Sequence, residues 1–251
     1  MTLRLYLTGA ICIEYSQSLL DERSFPSRQC RLALAYLALE RERPVPRDEL
    51  AEVMWGGAVP PAWDAALSAI ISKLRGALRI FGQPCGVDTA FGCYQLRLID
   101  GAWVDVEAAA NAIHDAEGAL RAGAARRAWG PANVAAIITR RSFLPGEDAD
   151  WIEARRGKLR SILVRALDCL SDVWMANGDS TLAIEASAES IALEPFREIG
   201  YQKLMRAQAA GGNRAEALRV YERCRRLLAE ELGADPSPQT EALYLQLLSE
   251  A

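Results

Sequence analysis

The chain has 251 residues, 51% of them hydrophobic, and a formal net charge of −4; at about 100–200 residues per domain, two buried cores are expected. No run approaches the roughly 18 uninterrupted apolar residues of a membrane span, and the opening MTLRLYL lacks the basic flank and apolar stretch of a secretory signal, so a cytoplasmic chain with no membrane partner is expected. A single histidine, His114, six cysteines without a CxxC spacing, and the lack of a phosphate loop, a GxGxxG or a GxSxG elbow argue against an enzyme and against any metal or cofactor.

In chain order, Leu3, Leu5 and Leu7 alternate with polar residues, Gly9 turns the chain, and Ile11, Ile13 and Tyr15 alternate again, as in a half-buried hairpin. Ser27 is placed to cap a helix reaching about Leu39, with Leu32, Leu34, Leu37 and Leu39 as its apolar series. Pro44 and Pro46 separate it from a short helix, Arg47 to Met54, and the turn-rich stretch Gly56 to Pro61 follows. The next helix is expected from Pro61 to Phe81, with Pro in its first turn and a stripe of Leu67, Ile70, Ile71, Leu74 and Leu78. Its opposite face carries Ala65, Ala66, Ala69, Ser72, Lys73 and Gly76, with Arg75 and Arg79 on the flanks. Gly82 and Pro84 break the chain, and Val87 to Thr89, a turn at Gly92, and Tyr94, Leu96 and Leu98 read as a second hairpin.

Everything after Asp105 reads as helix, so the boundary is placed at Gly101 to Val104, giving domains 1–100 and 101–251. Helices are expected over Val106–Ala122, over Ala124–Arg141 with an interruption at Gly130-Pro131, and over about Asp150–Met175 after a Phe143–Gly146 loop. Residues 167 to 193 map onto 201 to 227 at an offset of 34, Ala183 falling on Ala217 and Asn177-Gly178-Asp179 on Gly211-Gly212-Asn213. Helix, tight turn, helix at that period is the tetratricopeptide pattern. Gly233 should end one long helix and Ser237-Pro238 begin the last. The fold class expected is therefore an α+β winged-helix N-terminal domain followed by an all-α, tetratricopeptide-like domain.

The stretches FLPGEDADWIEARRGKLRSILVRAL and LEPFREIGYQKLMRAQAAGGNRAEALRVYERCRRLLAEELGADPSPQTEAL resemble the bacterial transcriptional activator domain. LALAYLAL, ELAEVMW, ALSAIISKLRGAL and GCYQL are similar to the OmpR/PhoB-type winged helix that precedes it in the Streptomyces antibiotic regulatory protein (SARP) family. The resemblance implies a sequence-specific activator of double-stranded promoter DNA that binds direct repeats, alongside another copy of itself, and helps recruit RNA polymerase holoenzyme. It makes the Pro61 to Phe81 helix the recognition helix, with Ala65, Ala69, Ser72, Lys73, Arg75 and Arg79 as its DNA-binding residues, and the turn from Thr89 to Tyr94 the wing.

Two departures bear on specificity. Cys93 and Ala90 stand where the family's wing offers a glycine and often a basic residue, and Ala65 and Ala69 can touch a thymine methyl but cannot hydrogen-bond a base edge. Residues 1–100 carry 11 basic and 11 acidic residues, against 18 and 22 in the remainder, so a basic patch must be local. Each candidate has a plainer reading beside DNA contact: Lys73 as a solubilising residue, Arg75 and Arg79 as surface salt-bridge partners, and Tyr94 as a wing residue packing on the domain. Arg28 and Arg31 are further phosphate-binding candidates, and Trp55 and Trp63 flank the Gly/Pro loop as anchors or polymerase contacts. Alternatives to the activator are a non-catalytic scaffold with a degenerate winged helix, and a small-molecule sensor.

Overall fold

A computed structural model describes residues 2–249. The chain forms two compact units: Met1–Ala108 with Arg141–Gly157, and Ala109–Arg140 with Lys158–Ala251.

In the first unit, β1 (Arg4–Tyr6), β2 (Cys12–Tyr15) and β3 (Ser18–Leu20) form an antiparallel meander, joined by a short parallel strand from Trp103–Val104, giving a four-stranded sheet. The alternation read from sequence is visible in the register: Leu5 opposes Ile13, and Leu3, Leu5, Leu7, Ile11 and Ile13 are buried. Strands of two or three residues are too short to show a period, which is why β3 and the Trp103–Val104 strand left no signal.

Beyond β1 the chain is held by Asp105. Its buried carboxylate accepts from the backbone N–H groups of Leu7 (3.0 Å), Thr8 (2.9 Å) and Val106 (2.8 Å) and from the Thr8 hydroxyl (2.7 Å). Four donors converging on one carboxylate compensate its removal from water. The Phe143–Gly146 loop lies here too: Gly9 N donates to Ser142 O (2.8 Å), and Phe143 and Leu144 are buried.

Three helices follow the meander. Ser27 caps α1 (Arg28–Leu39), accepting from Cys30 N at 3.3 Å as its position predicts. Then come β4 (Val45–Pro46), α2 (Arg47–Trp55) and α3 (Trp63–Leu78). The sequence reading started α3 at Pro61; it starts at Trp63, because Pro60 and Pro61 keep the entering chain out of the helix, and Arg79–Phe81 tighten into a 3-10 turn. Leu67, Ile71, Leu74 and Leu78 face the core, while Ile70 is only half-buried. A second sheet, in the order β4-β6-β5, pairs β5 (Cys85–Ala90) with β6 (Cys93–Leu98), and β6 with β4. With these elements counted, the Trp103–Val104 strand is β7.

The second unit is helical: α4 (Asp105–Arg121, from Ala109 onward), α5 (Ala125–Thr139), α6 (Asp150–Ala176, from Lys158 onward), α7 (Ser180–Leu193), α8 (Glu198–Ala210), α9 (Arg214–Leu232) and α10 (Pro238–Ser249). The expected break at Gly130-Pro131 does not occur. Pro131 sits inside α5, and Arg127, whose carbonyl it cannot bond, is exposed.

The 34-residue offset extends to individual hydrogen bonds. Asp179 N donates to Trp174 O at 2.9 Å and Asn213 N to Gln208 O at 2.8 Å, while Gly178 and Gly212 sit at φ +80 and +77. A third turn of the same form went unseen in the sequence: Ala124 N donates to Ala119 O at 2.9 Å, with Gly123 at φ +70. Ala119 corresponds to Trp174 at an offset of 55; the segment Arg141–Gly157, which belongs to the first unit, lies between them and makes up most of the added length. Small residues let the helices approach closely, among them Ala112, Ala116, Ala132, Ala135, Ala166 and Ala186. At the far end Arg214 donates to Leu247 O and Leu248 O, satisfying the last carbonyls of α10.

Candidate nucleic-acid interface

The apolar stripe of α3 faces the core, so its other side must face outward. Ala65, Ala69, Ser72, Lys73 and Gly76 are all exposed. Of these five, only Lys73 has a side chain larger than serine, so a partner can approach the backbone closely. Arg79, in the 3-10 turn, is also exposed. Arg75 is half-buried and turns to the hairpin, donating to Val87 O (2.8 Å) and to the hydroxyl of exposed Thr89. Tyr94 is 3% exposed, its ring packed in the sheet. The structure thus groups Ala65, Ala69, Ser72 and Lys73 on one face, joins Thr89 to the helix through Arg75, and places Tyr94 beneath.

Arg47 is the residue that the sequence reading passed over. It opens α2 and reaches three elements: it donates to Asp64 Oδ1 (2.6 Å) and the Ser68 hydroxyl (2.8 Å) on α3, and to the Tyr94 hydroxyl (2.9 Å) on β6, with its guanidinium 5.3 Å from the Tyr94 ring centre. Its own backbone N–H donates to Gly92 O (3.2 Å). A signal was present: a cation in the first turn of a helix opposes the helix dipole and needs an anion elsewhere.

Most cations of residues 1–100 are paired, some with carboxylates beyond residue 100. Arg4, Arg28, Arg31, Arg41, Arg43, Arg47 and Arg97 each lie within 4.0 Å of a carboxylate. Around Glu49, the Arg43 guanidinium holds the carboxyl below the usual range, and burial with the Glu49 contact pushes the Tyr36 hydroxyl up to about 12. Arg28 and Arg31, candidates from sequence, both meet the buried Glu147. Four of the 11 remain without a carboxylate among the described residues: Arg23, Lys73, Arg75 and Arg79. Three of these lie on α3 and the turn that ends it. Because Arg47 occupies Asp64, this small outward face carries uncompensated positive charge, which suits a polyanion. Among the described residues, no group of three His, Cys, Asp or Glu could hold a metal, and no helix is long and apolar enough to cross a membrane.

Residues 104–248 match the family described as the bacterial transcriptional activator domain. Regulatory protein AfsR of Streptomyces coelicolor is 31% identical over 223 residues, which cover 88% of this chain and 22% of AfsR. Transcriptional regulatory protein MoaR1 of Mycobacterium tuberculosis is 27% identical over 237 residues, covering 87% of this chain and 71% of MoaR1. The chain therefore spans about a fifth of the length of one relative and most of the other. The solved structure of Mycobacterium tuberculosis EmbR in complex with a low-affinity phosphopeptide superposes with a TM-score of 0.88 over 99% of this chain and 65% of that one, at 24% identity, so the two share a fold.

Proposed function

Because the chain belongs to the family of the bacterial transcriptional activator domain, among the SARP-like regulators, we propose that it is a cytoplasmic transcriptional regulator that binds duplex promoter DNA and activates transcription. In this reading α1 to α3 and the β4-β6-β5 sheet form a winged helix. α3 enters the major groove, and the β5–β6 hairpin is the wing. The second unit is a tetratricopeptide-like array whose role is to hold a protein partner, RNA polymerase holoenzyme, at the promoter.

The observation that carries the reading is the outward face of α3: small side chains for close approach, with Lys73 on it and Arg75 and Arg79 beside it, none of the three paired with a carboxylate among the described residues. Alanine at 65 and 69 leaves Ser72 and Lys73 as the base-edge donors of this face, so specificity rests on few direct contacts and on DNA shape.

The test uses the full chain and duplexes that it selects from a randomised pool. Wild type should retain a common sequence in gel shifts, and holoenzyme should add a slower species. Replacing Ala69 with glutamate puts an anion against the groove floor and should abolish binding, about 100-fold or more by analogy with other uncompensated buried charges. Position 69 is exposed, so the melting temperature should hold. An Ala69→Glu protein that stays folded and binds as tightly as wild type would remove α3 from the groove and leave the chain a protein scaffold.

A further inference from the structure

The hairpin between β5 and β6 closes through a two-residue turn, Phe91-Gly92, with Ala90 paired to Cys93. Both turn residues have positive φ, +50 and +73. Such turns favour asparagine, aspartate or glycine at the first position, because a side chain with a bulky Cβ substituent is strained there. Phe91 is also 104% exposed, the most exposed large apolar side chain among the described residues, the next being at 58%. An aromatic ring at this site carries backbone strain and keeps its whole surface in water without any packing inside the chain. Strain of that kind is retained where something outside the chain compensates it.

The position of the tip says what that something is. Arg75 fastens the hairpin to α3 at Val87 and Thr89, and Arg47 fastens it again at Gly92 and Tyr94. The tip is therefore held beside α3. Its one acid, Asp88, is neutralised by Arg97 at 3.2 Å. A neutral tip bearing a bare ring, fixed next to an uncompensated cationic helix, matches a partner that offers anions outside and stacked apolar surface within reach of a groove.

We propose that Phe91 is an apolar wedge that enters the minor groove beside the segment held by α3 and partly unstacks one base step of the duplex. This rests on the DNA-binding reading above. Apolar side chains inserted between base steps kink DNA, and flexible pyrimidine–purine steps yield most readily. The selected duplexes should carry TA or CA at one fixed distance from the α3 contact.

The experiment compares the full-length wild type with Phe91→Leu and Phe91→Asn on one duplex selected by wild type, with 2-aminopurine placed at successive steps. Wild type should raise fluorescence several-fold at a single step outside the α3 footprint, and Phe91→Leu should keep most of that rise. Phe91→Asn should lose it and bind roughly 5- to 100-fold more weakly. Since asparagine suits the turn, the same variant should melt about 2–4 °C higher. Equal affinity and an unchanged fluorescence pattern for Phe91→Asn would overturn the wedge and leave DNA binding by α3 standing. A wild type that selects no duplex overturns both. A Phe91→Asn protein that keeps its DNA affinity but loses self-association in sedimentation assigns the tip to a second copy and likewise overturns the wedge.

Discussion

In the helical unit, the three turns at Gly123, Gly178 and Gly212 repeat the same hydrogen bonds between residues three to five apart, and longer ties such as Arg165 to Glu117 are added to that repeating set. In the first unit, the bonds that matter run far along the chain: Arg75 to Val87 spans 12 residues, Arg47 to Tyr94 spans 47, and Leu7 to Asp105 spans 98. Local repetition spreads stability over many small contacts between helices. Long-range polar ties concentrate it in a few side chains. A binding face built in the second way is held rigidly at a few points, and each of those points is a place where one substitution acts strongly.

The largest effect should come from Asp105→Ala. The substitution strands the N–H groups of Leu7, Thr8 and Val106 and the Thr8 hydroxyl in a buried site, at roughly 1–3 kcal/mol for each donor left unpaired. Partial relaxation makes a total loss of about 3–5 kcal/mol the expectation, read from urea unfolding. Hydrogen exchange at Leu7 and Thr8 should accelerate well before that at Ala183 or Ala217. A loss below about 1 kcal/mol, or uniform acceleration in both units, would end the contrast between concentrated and distributed stability.

The same contrast explains which features could be read from sequence. The α7 and α9 turns were legible because a local motif repeated at a fixed offset needs only self-comparison. Their counterpart before α5 was hidden because it stands at an offset of 55 rather than 34, with Arg141–Gly157 intervening. The small outward face of α3 was legible from its 3.6-residue period, since burial of Leu67, Ile71 and Leu74 fixes where Ala65, Ala69 and Ser72 point. The charge on that face was not. It depends on Arg47 reaching Asp64 across 17 residues, a pairing that composition counts only as a neutral sum. Phe91 lies within the Thr89 to Tyr94 turn that the sequence places as the wing, but its positive φ and bare ring leave no signal in a sequence pattern.

A smaller effect is expected in the second unit from Gly200→Ala. A Cβ there would lie 2.9 Å from Ile191 Cγ1, closer than packed atoms tolerate, so α8 and the end of α7 must separate slightly. Overpacking costs about 1–3 kcal/mol, and alanine's better helix propensity returns about 0.8–1 kcal/mol. The net loss should be about 1 kcal/mol by thermal or urea unfolding, with faster exchange near Ile191 and Tyr201. Because that packing belongs to the helical unit alone, DNA affinity should not change. A Gly200→Ala protein with weakened DNA binding would show that the two units do not act independently.

The smallest effect on stability, and the sharpest on mechanism, belongs to Lys73→Ala. Lys73 is exposed and has no ion-pair or hydrogen-bond partner among the described residues, so its removal should change unfolding by less than about 0.5 kcal/mol. Its effect should lie in salt dependence. On duplex DNA, log affinity falls with log salt at about −0.9 per phosphate neutralised. Three uncompensated cations on and beside α3 therefore predict a slope of about −3 per protomer, far below the slope near −10 of strongly electrostatic repressors. If Lys73 meets a phosphate, the variant should have a slope of about −2 on every sequence and bind roughly fivefold more weakly at 0.15 M salt. If it reads a guanine edge, the slope should hold while the loss is confined to duplexes carrying that base. Arg75 is the internal control, since its guanidinium is already committed to Val87 and Thr89: Arg75→Ala should loosen the hairpin and weaken every sequence by more than its share of the slope accounts for. A wild-type slope near zero would mean that these cations neutralise no phosphate, and the outward face of α3 would then need a protein partner instead.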